Sequence, residues 1–348
     1  MPSIVKYENG IRVIDTERKT SLIADPTTIA TAKKNTAAII THAHTDHAIA
    51  FPNEGIKVYA TKIASELFST LTGKKSKNTF FMEYNKEIKI KEMNIEALPA
   101  GHLLGAAQIL FKTEKKNILY TGDISFGKMK TVKEAKEPEE KIDILITEAT
   151  YGKPDLYFEP RETVKMKIFN WIVEKIKENN LAVINVGNLG PAQEIIAYLN
   201  EMLEIDIYCN KKTSRINEVY KKNGIKLKYK EIEEIEEKID PKNSLILLSR
   251  GEKKIPEKII KEKIKVKRAI VTGQAARFNY TSFEKAFPFS MHANTKEIEE
   301  YAKKIKPKKI YTLYGFESEL AAYLRKKINV DARPLKIANE KLPIEEFF

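Results

Sequence analysis

The chain has 348 residues, of which 31% are charged, and 61 lysines and arginines against 48 acidic residues give a formal net charge of +13. This length allows two domains or one large domain with an insertion. The basic excess favours a polyanionic partner such as nucleic acid, although the ion-paired surface of a heat-adapted protein has the same composition. The single cysteine, Cys209, excludes a disulfide framework, and no apolar run reaches the ~18 residues of a membrane span, so we expect a cytoplasmic protein without membrane contact.

Predicted strands dominate the first part of the chain, in runs such as SLIAD, AAIIT, AAQILFK and NILYTGDI. From Pro160 onward, helices alternate with strands, as in parallel α/β units. The charged stretch at 229–240, YKEIEEIEEKID, predicts a solvated helix. No repeat or low-complexity linker interrupts the chain. We therefore predict an α/β fold in which a smaller unit at 166–285 is inserted between 1–165 and 286–348.

Three of the five histidines lie in the hexapeptide HAHTDH, directly after an apolar run. Because side chains at i and i+2 of a strand share a face, His42 and His44 are expected to point the same way, and Asp46 and His47 follow after one turn. Two such groups close together suit two divalent ions. Imidazole and carboxylate ligands favour zinc, with manganese or iron as alternatives.

The remaining histidines also fall at predicted strand ends or in tight loops. His102 lies in a loop between two glycines, and His292 lies between a predicted strand and a predicted helix whose expected cap is Asn294 or Thr295. Asp123 ends the strand NILYTGDI, where a carboxylate can protrude and bridge two ions. Asp25 closes SLIAD before a proline, which suits a turn residue or a support behind a ligand. A single histidine is most often a core residue, but packing does not explain all five at such positions.

The motifs HAHTDH, GH in PAGHLLGA and TGD in LYTGDIS resemble, in order and spacing, the metal-binding motifs of the metallo-β-lactamase fold. Further stretches resemble one branch of that fold, the β-CASP nucleases, which include Artemis, RNase J and the cleavage and polyadenylation endonuclease. These stretches are ITEATYG, GNLGPAQEIIAYL, AIVTGQAARF and FPFSMHANTKEIEEYAKKIKPKKIYTLYG. The resemblance spans nearly the whole chain. It implies an αββα sandwich with an inserted β-CASP-like domain, and hydrolysis of phosphodiester bonds.

The resemblance also implies roles for individual residues. It implies two ion sites that share one carboxylate: His42, His44, His102 and Asp123 for the first, and Asp46, His47 and Asp123 for the second. Two such ions would lower the pKa of a bridging water and hold a scissile phosphate for in-line attack. Glu148 is implied to pair with His292 and to keep it protonated as the general acid that releases the leaving oxygen.

Two positions depart from the pattern of the family. RNA-cleaving members typically carry a histidine ligand at the position of Tyr314, and DNA-acting members carry valine there. Tyrosine is a rare zinc ligand, so the second ion is expected to keep only three protein ligands. Pro191 replaces a basic residue of many relatives, which removes one expected phosphate contact.

The expected substrate is single-stranded nucleic acid in a groove between the two halves, with RNA slightly ahead of DNA because the segment after Phe287 is closer to the RNA-processing branch. Arg250, Gln274 and Arg277 are candidate phosphate contacts, or else ordinary surface residues. The alternatives are an Artemis-like DNA repair exonuclease and a non-catalytic nucleic-acid-binding relative. A thioester or lactam hydrolase does not explain the inserted unit. Relatives often form homodimers.

Overall fold

The computed structural model describes residues 4–35, 37–236, 238–255 and 264–338. The chain divides into two compact units. The first comprises 1–128, 132–156 and 292–348, and the second comprises 129–131 and 157–291. None of the described helices is long and apolar enough to cross a membrane.

The first unit begins with eleven strands and two helices. In chain order these are β1 (Ile4–Tyr7), β2 (Ile11–Asp15), β3 (Thr20–Ala24), α1 (Ile29–Asn35), β4 (Ala37–Ile39), β5 (Lys57–Thr61), α2 (Lys62–Thr72), β6 (Thr79–Met82), β7 (Glu87–Ile90), β8 (Met93–Pro99), β9 (Ala107–Lys112), β10 (Asn117–Tyr120) and β11 (Ile144–Ala149). Helix α2 begins where Thr61 accepts a hydrogen bond from the Ala64 amide and ends at Gly73, which adopts a left-handed conformation.

The second unit alternates helices with strands. Its elements are α3 (Arg161–Lys177), β12 (Leu181–Val186), α4 (Pro191–Met202), β13 (Asp206–Cys209), α5 (Lys211–Lys222), β14 (Lys230–Glu231), β15 (Ser244–Ser249), β16 (Val266–Val271) and β17 (Lys285–Phe287). The strands form one six-stranded sheet in the order β14-β13-β15-β12-β16-β17, and all of its pairings are parallel. Strand β12 is buried along its whole length, as expected in a parallel sheet covered on both faces.

The chain then completes the first unit. The remaining elements are α6 (Thr295–Ile305), β18 (Lys309–Gly315), α7 (Glu317–Ile328), β19 (Asp331–Pro334) and α8 (Leu335–Ala338). Strands β1 to β6 form one sheet in chain order, and a second sheet has the order β19-β18-β11-β10-β9-β8-β7. The last strands therefore extend the edge of a sheet that the first part of the chain began. Asn294 caps α6 by accepting hydrogen bonds from two amides of its first turn, as predicted.

The two sheets of the first unit share one apolar core, and alternation along each strand decides which side chains enter it. On β10, Ile118 and Tyr120 pack into the core with residues of the other sheet such as Val13 and Leu22. Leu119 between them belongs instead to the cluster formed with α6 and α7. Helix α2 contacts β5 of the other sheet. Strand ends that carry polar residues therefore lie on a rigid scaffold.

The predicted helix at 229–240 is wrong in the described part of that stretch. Residues 230–231 form strand β14, and a short 3-10 turn follows at Ile232–Glu234. The edge of β13 is open to pairing, and Lys230 pairs there with Tyr208. Ile232 and Ile239 are buried in a cluster with β12 and β15. Tertiary packing of these isoleucines overrides the charged, helix-like composition.

Candidate metal centre

The HAHTDH segment lies in the loop that follows β4. The strand ends at Ile39, so the backbone has already left the sheet when it reaches the first histidine. The amides of His47 and Ala48 both donate to the carbonyl of His44, at 3.1 Å each. This tight turn brings His47 back toward His42, with ring centroids 4.3 Å apart. The turn places all three imidazoles at one end of the sheet.

Four buried or half-buried groups converge on a single point. His42 Nε2 lies 3.1 Å from His44 Nδ1, which lies 3.3 Å from His102 Nε2. Asp123 Oδ2 lies 3.3 Å from His42 Nε2 and 3.6 Å from His102 Nε2. Together these four residues form a group able to hold a cation. The structure therefore brings residues from three separate sequence motifs together.

Asp123 reaches this point because the chain makes a tight turn after β10. Gly122 has a positive φ of 54°, and a Cβ there would lie 2.8 Å from the Thr41 side chain. Only glycine permits that approach at low cost. Asp123 Oδ1, the oxygen that does not face His102, lies 3.7 Å from His47 Nε2. The two oxygens of one carboxylate thus face two different groups of donors.

The second group is less enclosed than the first. His47 is buried, and its Nε2 lies 3.8 Å from Asp46 Oδ2. The Asp46 side chain is 81% exposed. His47 also belongs to a possible cation-holding group with Asp25 and His42. The structure therefore brings Asp46 beside His47, on the solvent side of the cluster.

Asp25 is the centre of a hydrogen-bond network whose extent the sequence did not reveal. Its carboxylate accepts from the Thr41 amide at 2.8 Å, the Thr41 hydroxyl at 2.6 Å, and the Tyr120 hydroxyl at 2.9 Å. It also lies 2.8 Å from His47 Nδ1. This contact keeps a proton on Nδ1, while Nε2 faces Asp46 and Asp123. The motif SLIAD signalled the residue, but nothing in the sequence signalled Thr41 or Tyr120.

Glu148 and His292 form a pair beside the cluster. Glu148 Oε2 lies 2.8 Å from His292 Nδ1, and its other oxygen accepts from the Ile124 amide at 2.7 Å. The Glu148 side chain is fully buried, whereas that of His292 is 22% exposed. His292 Nδ1 is also 3.9 Å from Asp123 Oδ2. The pair predicted from the sequence is thus in contact, with the histidine on the accessible side.

Electrostatics place four of the five histidines in two classes. Burial lowers the pKa of His44 and His102 well below the ordinary value, so both are neutral at pH 7 and suited to bind a cation. Burial also opposes charge on His47 and His292, but neighbouring carboxylates outweigh it. Asp123 and Asp25 raise the pKa of His47 to about 10, and Glu148 and Asp123 raise the pKa of His292 to about 9.

Asp123 remains a carboxylate in this environment. Burial alone would raise its pKa, but the imidazoles of His47 and His42 hold the pKa of Asp123 well below its usual range. Its charge is available to a cation on either side. An ion at His47 Nε2 would take the place of a proton on that imidazole.

The three predicted substrate contacts all lie in the second unit, beyond the carboxyl ends of β15 and β16. Arg250 is exposed. Gln274 is the second residue of the 3-10 turn Gly273–Ala276 after β16, and its amide donates to the Thr272 side chain. Its Oε1 is buried without a partner among the described residues. Arg277 lies over the ring of Phe278, 5.0 Å from its centroid, and Phe278 is 54% exposed. Phe278 was not among the predicted site residues, because no sequence pattern indicates that its ring is exposed.

Comparison with known proteins links the chain to nucleic-acid enzymes. No family model matches the chain. The chain is 33% identical to the RNase J-like protein of Methanocaldococcus jannaschii over 184 aligned residues. The alignment covers 48% of this chain and 44% of that protein. It is 32% identical to Cleavage and polyadenylation specificity factor subunit 3 of Dictyostelium discoideum over 120 aligned residues. That alignment covers 34% of this chain and 15% of that protein.

A third match extends further along this chain. A protein of Opitutus terrae named "Probable DNA ligase" is 26% identical over 302 residues, which cover 83% of this chain and 28% of that protein. The chain spans less than half the length of each of these three relatives. The names of the first two relatives confirm the resemblance that the motifs indicated.

Proposed function

We propose that this chain, a homologue of the β-CASP nucleases of the metallo-β-lactamase fold, is a divalent-metal-dependent nuclease that hydrolyses phosphodiester bonds in RNA processing or decay. The observation that carries the proposal is the convergence of His42, His44, His102 and Asp123, whose ligand atoms all lie within 4.8 Å of one another. Three imidazoles and a carboxylate packed this closely in a buried site are chemically suited to be ligands of a shared cation.

The architecture supports the same proposal. Two sheets with a shared core, flanked by helices, are what an αββα sandwich requires, and the parallel sheet of the second unit supports an inserted domain. The compact second unit runs from Tyr157 to Met291 with a short segment at 129–131. We propose the inserted domain at 166–285 within it.

Zinc fits the first group of donors. A tetrahedral zinc with ligand bonds of about 2.0–2.1 Å separates its ligand atoms by about 3.3 Å. Four of the six distances between the ligand atoms of His42, His44, His102 and Asp123 range from 3.1 to 3.6 Å. The second group, with His47, Asp46 and the other oxygen of Asp123, would hold a second zinc or manganese ion. Two such ions supply Lewis acidity and an activated water when bound.

The remaining chemistry belongs to side chains of the chain. Asp25 fixes the ring of His47 through Nδ1, and the Thr41 hydroxyl, 2.9 Å from His42 Nδ1, fixes that ring in the same way. Glu148 holds His292 protonated, and the exposed part of His292 is accessible to a bound phosphodiester. His292 would then donate its proton to the leaving oxygen as that oxygen develops charge.

RNA is proposed ahead of DNA because several relatives bear ribonuclease names, including RNase aCSPSF2 of Saccharolobus solfataricus, which is 29% identical over 188 residues. DNA is the second candidate because the match that covers 83% of this chain is to a protein named for DNA ligation. A non-catalytic role is disfavoured because the predicted ligands up to Asp123 converge.

One cleavage experiment separates these candidates. End-labelled single-stranded RNA and DNA of identical sequence are incubated with the protein and either Zn²⁺ or Mn²⁺, with 5′ and 3′ labels in parallel. We expect RNA to be cut faster, and the two labels distinguish internal cleavage from stepwise removal of ends. Faster cutting of DNA would establish the second candidate. Inertness toward both polymers with both ions would contradict the nuclease proposal.

Phe278 and Arg277 are proposed to stack on a base of the single-stranded substrate. An aromatic ring under a guanidinium offers the sequence-tolerant platform that such proteins use. We expect Phe278→Ala to weaken binding of a single-stranded oligonucleotide by about 5- to 100-fold, because stacking is worth about 1–3 kcal/mol per base. Phe81→Ala, at a ring that is 54% exposed on β6, is the matched control. Equal affinity loss in both variants, measured by fluorescence anisotropy, would argue against the platform.

A further inference from the structure

Tyr314 occupies a strained backbone position beside the second group of donors. Its φ is +61°, in the left-handed region that aromatic residues rarely adopt. The turn is held on both sides, because the Tyr314 amide donates to Glu317 Oε1 at 3.0 Å and the Phe316 amide donates to the Ala149 carbonyl at 2.8 Å. Gly315 follows with a φ of +84°, and a Cβ there would lie 2.6 Å from the Ala149 carbonyl oxygen. Such strain persists only where the surroundings enforce it, and it often accompanies function.

The side chain of Tyr314 joins the network around Asp25. Its ring packs edge-on against His47, with centroids 5.4 Å apart. Burial raises the pKa of Tyr314, and the hydroxyl of Tyr120 acts in the opposite direction, so the two hydroxyls lie close together. Tyr120 has one proton and donates it to the Asp25 carboxylate at 2.9 Å. In a hydrogen bond between the two hydroxyls, Tyr314 would therefore be the donor.

A hydrogen bond from Tyr314 to Tyr120 would complete a path that ends on an imidazole. Tyr120 donates to Asp25, and the same Asp25 oxygen lies 2.8 Å from His47 Nδ1. A tyrosine binds a cation as its phenolate, whereas in this path the phenolic proton of Tyr314 would be donated to Tyr120. Tyr314 thus contributes orientation to His47, through contact with its ring and through Asp25.

We propose that Tyr314 is a positioning residue for the second ion site, which it leaves with three protein ligands, while the first site is closed by four. The inference rests on the proposed metal centre. It follows that the ion at His42, His44 and His102 is retained and that the ion at His47 exchanges with solution. The exposure of Asp46 agrees with this asymmetry, since a ligand in bulk water is held less firmly.

The test compares Tyr314→Phe with the wild-type protein. It measures how many ions each protein retains and, by titration with Zn²⁺ in the absence of nucleic acid, the affinity of each ion site. After dialysis against metal-free buffer, elemental analysis is expected to find about one ion per wild-type chain. In Tyr314→Phe, we expect the first ion to be retained and the affinity for the second to fall about tenfold, since outer partners of metal ligands typically contribute 10- to 100-fold. Tyr120→Phe breaks the same path and should give the same pattern.

Tyr301→Phe is the matched control, because it removes a buried hydroxyl that hydrogen-bonds Gln108 instead of the Asp25 network. Unchanged affinity for both ions in Tyr314→Phe, or equal loss in Tyr301→Phe, would overturn the positioning role. Complete loss of the second ion would also overturn it, since Tyr314 would then be a ligand. Because no nucleic acid is present, a protein that binds two ions unequally without cutting RNA would refute the proposed function and leave this inference standing.

Discussion

Replacing Asp46 with alanine is expected to lower kcat/KM for phosphodiester hydrolysis by at least about 10³-fold, equivalent to about 4 kcal/mol of transition-state stabilisation. Asp46 supplies one of three proposed ligands to the second ion, and its neighbour His47 alone does not compensate for a lost carboxylate. The side chain is 81% exposed, so the free energy of unfolding should change by less than about 0.5 kcal/mol. Cleavage of labelled RNA and thermal unfolding measure the two effects separately.

Asp155→Ala is the matched control for this variant. Asp155 is also an exposed aspartate, and its carboxylate pairs with Lys153 at 2.9 Å on the surface of the same unit. It should lose neither activity nor stability. Wild-type cleavage rates in Asp46→Ala would contradict the two-ion centre. Among the described residues, no other exposed carboxylate lies near His47 Nε2 to replace that of Asp46.

Replacing His292 with alanine is expected to reduce cleavage of an ordinary phosphodiester by about 10²- to 10⁴-fold, the usual contribution of a general acid. The loss should shrink to less than tenfold on a p-nitrophenyl phosphodiester, whose leaving group departs without a proton. The comparison of the two substrates separates proton donation from binding. Equal losses on both substrates would indicate that His292 binds the phosphate and does not act as an acid.

Glu148→Gln tests the same pair through the pH profile. Glu148 and Asp123 together raise the pKa of His292 to about 9, so the acid form should persist to mildly alkaline pH and disappear as the pH rises through that value. Without the Glu148 charge, the pKa of His292 falls toward its ordinary value of about 6.5. The alkaline limb of the kcat/KM profile should therefore move to lower pH by about one unit or more. An unmoved limb would mean that another group limits activity at high pH.

The candidate ligands were predictable from the sequence because their residue types and their positions are unusual together. Histidines are few in this chain, and those of HAHTDH directly follow an apolar run. The alternation rule correctly brought His42 and His44 together. Strand alternation explains this only in part, because β4 ends at Ile39 and both histidines lie in the loop after it. The two imidazoles converge through different ring nitrogens, Nε2 of His42 and Nδ1 of His44.

The predicted elements succeeded where packing agreed with local pattern and failed where it did not. Helix α6 begins at the predicted cap, Asn294, because side-chain capping is a local interaction. The helix predicted at 229–240 was wrong because the prediction relied on the charged residues of that stretch. Its conformation is determined instead by two buried isoleucines and by pairing with the edge of β13. Such contacts come from residues far away in the chain.

The sequence by itself determined which side chains are candidate cation ligands and which pair is the candidate for proton transfer. Only the tertiary structure decided how these groups are oriented. Asp25 and Tyr120 are distant in sequence, and they meet because β3 lies beside β4 and because Tyr120 enters the core between the two sheets. The position of Tyr314 depends on β18 joining β11. Hydrogen bonds between distant strands follow from sheet register, which the residues of a single motif do not encode.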